Sequence, residues 1–361
     1  MKKKLLPLAI ILSVLVVSLC ACGIYLKIAA GSVYSLTKND VTVEFEVTDK
    51  MSVKYAARLL KQQDIIVNEN LFYYCARFPS LASVFLKASP SEFSLKKGYY
   101  ELSSKMTLAE VFKEVSSGKE KSVKVQIPEG LTISKIAKIL DEAGLSHAAD
   151  FESVALTKGE ALFNKCGLDI KAKTVEGFLY PDTYQIPVTY DSEKIICLMI
   201  NNFINTVRHY KSTDGIQDSK DLYETVILAS IIEREYRVKE EAPSIAGVFK
   251  NRLAINMPLQ SCATVEYIIT EVLHKPHPKI IYFSDLEISN PYNTYKYPGL
   301  PPGPISNPGI TSLMAACHPE KNNYLYFTLT DAGEGRHTFS SNLSSHNKAT
   351  QEFKTKQAAG N

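Results

Sequence analysis

The stretch 227–235, Ile-Leu-Ala-Ser-Ile-Ile-Glu-Arg-Glu, places carboxyl groups at the end of a run too apolar to be a solvated helix face. At 100° per residue the apolar side chains of 222–232 point in nearly every direction, the pattern of a helix buried all round. Glu233 emerges from that element with Ala229 and Ser230 at i−4 and i−3, small residues that leave room for a ligand beside the carboxyl. Glu235 instead stacks above Ile231. A carboxyl with an apolar wall on one side and a substrate on the other has a raised pKa, as a general acid working near neutral pH requires. Glu233 is thus the catalytic candidate, set against the plainer reading of a helix-end carboxylate paired with Arg234 or Arg237.

The rest of the chain must position this group. With 361 residues it exceeds one average domain, so two globular parts and an anchor are expected. Lys2, Lys3 and Lys4 precede an uncharged run over 5–26, long enough to span a hydrocarbon core with positive charge on its first side. That predicts an N-terminal transmembrane helix, single-pass in the cytoplasmic membrane, with the C-terminal body on the extracytoplasmic (periplasmic) side. A cleaved signal peptide and lipidation at Cys22 are the competing readings of the same segment. The net charge of +3 and the lack of a basic stripe interleaved with aromatics argue against nucleic acid as a partner. Beyond the anchor, Cys75, Cys166, Cys197, Cys262 and Cys317 are odd in number and widely spaced, so neither a disulfide framework nor a metal site is indicated, and most read as small buried hydrophobes. No cofactor is called for.

A weak internal repeat organises the first half. Residues 45–53 followed by 56–60 match, 80 residues later, 125–133 followed by 136–140: each alternates like a strand, turns, and opens an amphipathic helix with Ser52 or Thr132 as N-cap. Between them, 98–102 and 106–115 repeat the order of strand and helix. Residues 40–145 therefore read as a small α+β module. From about 150 the chain turns helical with long connections. The segment 290–305, rich in Pro, Gly and Tyr, must be a loop, and its tyrosines beside Asn293 and Thr294 offer flat apolar faces with polar partners, as a sugar-binding surface does. A strand over 324–329, a turn at 333–335 and a loose tail from about Thr355 complete the chain.

With these segments in view, the chain resembles the endolytic murein transglycosylases, the YceG-like family, over nearly its whole length. The resemblance rests on 127–130 (Ile-Pro-Glu-Gly), 176–184 (Glu-Gly-Phe-Leu-Tyr-Pro-Asp-Thr-Tyr), 228–235, 248–253 with 257–260, the loop from Tyr292 to Pro304, and 339–340 with 346–347, six motifs in the family's order. It implies an α+β protein with an N-terminal transmembrane helix over 1–30, a LysM-like module over 31–148 and a mainly helical catalytic domain over 149–361. It also implies internal cleavage of peptidoglycan glycan strands without added water, leaving 1,6-anhydro ends, in company with the cell-wall synthesis machinery. Superposition of the Ala-Ser-Ile-Ile-Glu motif puts the family's catalytic glutamate on Glu233, and the motifs offer Tyr180, Asp182, Tyr184, Glu235, Gln260, Asn293 and Tyr295 as substrate contacts. One departure stands out: Cys262 and Ala263 occupy places where the family usually carries an acidic residue and proline.

Two other classes compete. Cys262 followed by His337 or His346 and Asn347 has the order of a cysteine peptidase, although no nucleophile signature surrounds Cys262. The altered 262–263 position also admits a wall-binding protein without activity.

Overall fold

The computed structural model describes residues 5–48, 50–118, 122–210, 219–331 and 333–359; Lys2, Lys3 and Lys4 lie outside them. The chain forms two compact units, one from the residues up to 122 with 187–189, the other from 123–186 with 190–361.

The first unit runs α1 (Leu5–Ala29), α2 (Val33–Thr37), β1 (Thr42–Val47), α3 (Val53–Gln62), α4 (Glu69–Arg77), α5 (Pro79–Leu86), β2 (Gly98–Ser103) and α6 (Leu108–Ser117). The transmembrane helix and the single-pass membrane location expected from the sequence are corrected here: among the described residues no helix is long and apolar enough to cross a membrane. The side chains of α1 are described from Ser13 onward. Its end is also committed to the unit, since Ala29 is buried and Asn68 Nδ2 donates to Tyr25 Oη at 2.6 Å.

The period-2 pattern of β1 turns Phe45 and Val47 inward and Glu44 and Glu46 outward, as the sequence alternation requires. β1 pairs antiparallel with β2, Phe45 opposite Tyr100. α3 starts where predicted, with Ser52 accepting the Tyr55 N–H, and α6 opens on a capping box between Thr107 and Glu110. Their apolar faces meet in a core that includes Leu60, Phe72, Phe93, Leu102 and Phe112, with the Phe72 and Phe112 rings stacked at 4.2 Å. Burying each such ring contributes about 1.5–3 kcal/mol.

The second unit contains β3 (Ser122–Gln126), α7 (Ile133–Glu142), α8 (Ala148–Thr157), α9 (Gly159–Lys165), β4 (Thr183–Pro187), α10 (Ser192–Tyr210), α11 (Ser219–Glu235), α12 (Ala242–Ala254), α13 (Cys262–Tyr267), α14 (Phe283–Leu286), α15 (Ile310–Cys317), β5 (Tyr326–Asp331), β6 (Arg336–Ser340) and α16 (Leu343–Ala359). β3 pairs with β4, which ties the start of this unit to the segment beyond α9. α11 is its central helix: Val226, Leu228, Ala229, Ser230, Ile231 and Ile232 are each at most 1% exposed, and α12, α13 and α15 pack around it. One close approach depends on Gly177, whose φ is +88° and whose added Cβ would meet Pro304 at 2.6 Å and Val226 at 2.7 Å. The neighbouring Phe178 is seated among Phe163, Phe203 and Tyr223. The β5–β6 hairpin packs on α16, which continues to Ala359 in place of the loose tail expected from Thr355.

The cysteines are less buried than their type suggested. Among the described residues none forms a disulfide: Cys75 is buried, Cys166, Cys197 and Cys317 are half-buried, and Cys262 is exposed.

Candidate active site

The last turn of α11 carries Glu233, and the segment 305–309 is stitched along it. Ser230 Oγ donates to Ile227 O at 2.7 Å and accepts the Ile305 N–H at 3.0 Å, while Ser306 Oγ donates to Ser230 O at 3.0 Å. The room that small residues at 229 and 230 leave beside the helix is therefore filled by the protein's own backbone and not by a ligand.

Asn307 then joins three segments far apart in sequence. Its N–H donates to Leu131 O, its carbonyl accepts Gly130 N–H, and its Nδ2 donates to Leu131 O at 2.9 Å and Glu176 Oε1 at 2.7 Å. Its Oδ1 accepts the Leu179 N–H at 2.8 Å. Glu176 in turn accepts the Ile133 N–H at 3.2 Å, capping α7 where the Thr132 side chain makes no cap bond. Burial pushes the Glu176 carboxyl up to about 8, against the hydrogen bonds from Ile133, Asn307 and Gly177. Glu176 and Asn307 are buried polar residues that spacing did not single out; a carboxyl opening the apolar run Gly-Phe-Leu-Tyr-Pro was the available signal.

This scaffold delivers Gly309 and α15 to Glu233. Glu233 Oε2 accepts the Gly309 N–H at 2.9 Å and the Ser312 hydroxyl at 2.6 Å, and Oε1 accepts the Tyr236 hydroxyl at 3.2 Å. The carboxyl therefore sits at the N-terminus of α15, where backbone donors and the helix dipole favour the anion. Burial opposes them and is the larger effect, so Glu233 is raised above the ordinary carboxylate range, with the charge of Glu129 adding to the rise. Arg234 does not neutralise it: the Arg234 guanidinium is bonded to Glu266 at 2.5 Å, which His277 also contacts at 2.9 Å.

Beside this lies a second network. Ser261 Oγ donates to Glu235, whose carboxyl burial pushes up to about 7, against the Ser261 bond and the charges of Arg234 and Arg252. Buried Arg252 donates to Leu325 O at 2.6 Å, Leu259 O at 2.8 Å and Gln260 Oε1 at 3.4 Å, and covers the Tyr326 ring. Gln260 also donates its N–H to Thr294 O, and Tyr295 Oη lies 3.0 Å from Cys262 Sγ. Glu235, Gln260 and Tyr295 thus fall in one network joined through Ser261, Arg252 and Thr294. Asn293 belongs to its frame: fully buried, it donates to Leu286 O and Ile288 O, both at 2.8 Å, and accepts the Tyr295 N–H. Tyr180, Asp182 and Tyr184 gather elsewhere, against α10. The Tyr184 hydroxyl donates to Tyr180 O, and Asp182 accepts from Asn202 Nδ2 at 2.8 Å and from the Thr183 N–H at 2.7 Å.

The peptidase arrangement is not assembled. His337 Nδ1 lies 2.8 Å from Glu241, His346 stacks on Tyr326, and burial raises the Cys262 thiol, whereas a nucleophilic cysteine needs a depressed pKa and an adjacent base.

The Glu233 carboxyl, buried at a helix N-terminus, is thus framed by the motifs at 127–130, 176–184 and 292–307. The model of the YceG-like family matches residues 45–352. The chain is 33% identical over 327 residues to an endolytic murein transglycosylase of Bacillus subtilis, covering 86% of this chain and 85% of that protein. It is 31% identical over 282 residues to an endolytic murein transglycosylase of Streptococcus pneumoniae, covering 72% of this chain and 50% of that one. A crystal structure of a YceG-like protein from Listeria monocytogenes aligns with a TM-score of 0.55 at 32% identity, over 86% of this chain and 99% of the other. With a family model spanning most of the sequence and a relative matched along most of both lengths, the chain belongs to the YceG-like family.

Proposed function

We infer that this chain is an endolytic murein transglycosylase, a lyase that cuts the MurNAc–GlcNAc bond inside peptidoglycan glycan strands and leaves 1,6-anhydroMurNAc ends. The observation that carries the mechanism is the Glu233 carboxyl, raised by burial yet supplied with anion-stabilising donors from Gly309, Ser312 and Tyr236. A glycosidic oxygen leaves poorly unless protonated. Glu233 in its acid form gives its proton to that oxygen as the bond to the anomeric carbon breaks and oxocarbenium character develops. The carboxylate so formed is held by the donors at the start of α15 and then takes the proton of the sugar's own C6 hydroxyl, whose oxygen closes on the anomeric carbon. One carboxyl serves both halves, because an intramolecular nucleophile supplies the proximity that a hydrolase obtains by placing a water.

Glu235, Gln260 and Tyr295 are the substrate contacts this reading favours, since they share one network that begins two residues after Glu233. Asn293 holds their loop, and Tyr180, Asp182 and Tyr184 stabilise the segment leading away from Glu176. The first unit is read as a LysM-like wall-binding module, supported by antiparallel strands β1 and β2 flanking α3 to α5. A cut within nascent strands ends their growth, which places the enzyme beside the machinery that makes them. A wall-binding protein without activity is disfavoured, because the groups around Glu233 are intact despite Cys262 and Ala263. Mass spectrometry of purified peptidoglycan digested with the protein tests the assignment. Ends lighter by one water than reducing MurNAc are expected, and hydrolysed ends would contradict it.

A further inference from the structure

Glu129 is exposed, yet its carboxyl is placed closely. It lies over the Cα of Gly309, the residue whose N–H holds Glu233: an added Cβ on Gly309 would come 2.7 Å from Glu129 Cγ and still nearer its Cδ and Oε1. Gly309 has φ −81° and ψ 178°, a conformation any residue adopts, so no backbone demand explains a glycine there. The carboxyl seated on it does. From the other side, an added Cβ on Gly130 would lie 3.4 Å from Glu233 Cγ, so the turn that carries Glu129 passes close to the catalytic side chain. Among the described residues Glu129 has no ion-pair partner, and its charge is not spent on holding the fold.

We propose that Glu129 is the second carboxylate of this site, a positioning residue that acts on the sugar chemistry through Glu233 by its charge. The proposal rests on the reading of the site as a transglycosylase and adds to it a group whose charge, together with burial, favours the acid form of Glu233. The groups facing Glu233 are Tyr236 from its own helix, Gly309 and Ser312 from the start of α15, and Glu129 from the 129–130 turn; Arg234 is engaged by Glu266. The first three donate hydrogen bonds that favour the anion. Glu129 is the ionisable neighbour whose like charge disfavours it, working in the same direction as burial. Once Glu233 has given up its proton, the same charge faces the positive character developing on the sugar. The anion-stabilising donors and Glu129 thus act on the Glu233 carboxyl in opposite directions.

The test is the pH dependence of kcat/KM for glycan cleavage in the full chain, with Glu129→Gln, Gly309→Ala and the double variant Glu129→Ala/Gly309→Ala. The alkaline limb reports loss of the acid form of Glu233. Removing a neighbouring negative charge should move that limb to lower pH by on the order of one unit, lowering kcat/KM several-fold near pH 8 and little near pH 5. Gly309→Ala evicts the Glu129 carboxyl and should move the limb the same way, whereas in the Glu129→Ala background the three atoms nearest the added methyl are gone and no further shift is expected. An unmoved limb in Glu129→Gln with a normal melting curve would overturn the proposal, as would an equal effect of Gly309→Ala with and without Glu129. Should Gly309→Ala fail to fold, Glu129→Gln alone decides. The limb is read on whatever bond the unmodified protein cuts, so a failure of the anhydro-product assignment is seen separately in the product masses.

Discussion

Replacement of Ser312 by Ala removes the shortest hydrogen bond to Glu233, 2.6 Å from Oγ to Oε2. That length is in the range of a charge-assisted O–H···O⁻ bond, and such bonds contribute about 1.5–3 kcal/mol to the ionised form. One pKa unit corresponds to about 1.36 kcal/mol, so complete loss would raise Glu233 by roughly 1–2 units. Water entering the space of the lost hydroxyl would restore part of the bond, and Gly309 and Tyr236 still donate, which sets the expectation at about one unit. The sign comes from the role: a general acid with a higher pKa stays protonated further into alkali, so the alkaline limb of kcat/KM should move upward. The rate at the optimum should fall at the same time, because the anion left after proton transfer has lost a donor. The assay is chromatographic release of anhydro-ended fragments between about pH 5 and 9, with thermal melts as the control. A limb that stays in place or moves to lower pH, in a protein that melts normally, would refute the claim that this carboxyl is held at the start of α15 as its acid form's main counterweight.

Stability should fall as pH rises from about 4.5 to about 8, because Glu176, raised to about 8, and Glu235, raised to about 7, hold protons in the folded state that the unfolded chain releases. Melting at pH 5, 6, 7 and 8 should show this slope, and Glu176→Gln should flatten it; a rising curve would contradict the burial argument. Cys262→Ala should keep glycan cleavage within a few fold, since the thiol is raised and lacks an adjacent base; a dead but folded variant would reopen a cysteine mechanism.

Local pattern was legible where one element's own periodicity decided the outcome. α11 shows it, since apolar residues on every side over 222–232 admit only a buried helix, and so do β1 and α3 with Ser52 at the cap. The position of Glu233 at the end of that helix was legible for the same reason. Its surroundings were not, because the donors come from Gly309 and Ser312, and the scaffold from Glu176 and Asn307, whose value lies wholly in contacts between distant segments. The pairing of β3 with β4 has the same character: each strand reads as a strand, and nothing in either names its partner. Ser230 misled for a related reason, since a small residue leaves space without saying what fills it. α16 lacks an apolar stripe to announce it and forms against the β5–β6 hairpin. The N-terminal run shows the converse, where apolar composition alone suggested a span and the described helix does not supply one.

The central claim is that one carboxyl, Glu233, serves as acid and then as base. Its most direct test is Glu233→Gln, assayed by mass spectrometry of peptidoglycan digests beside Glu235→Gln. The amide keeps the shape and the bonds from Gly309 and Ser312 in place but can neither give the leaving oxygen a proton nor take one from the C6 hydroxyl. General acid–base catalysis contributes about 10² to 10⁴ in rate, and a group serving both steps lies at the upper end. Anhydro-ended products should vanish in folded Glu233→Gln and persist at reduced rate in Glu235→Gln. Near-normal turnover by Glu233→Gln, with Glu235→Gln inactive, would contradict the account.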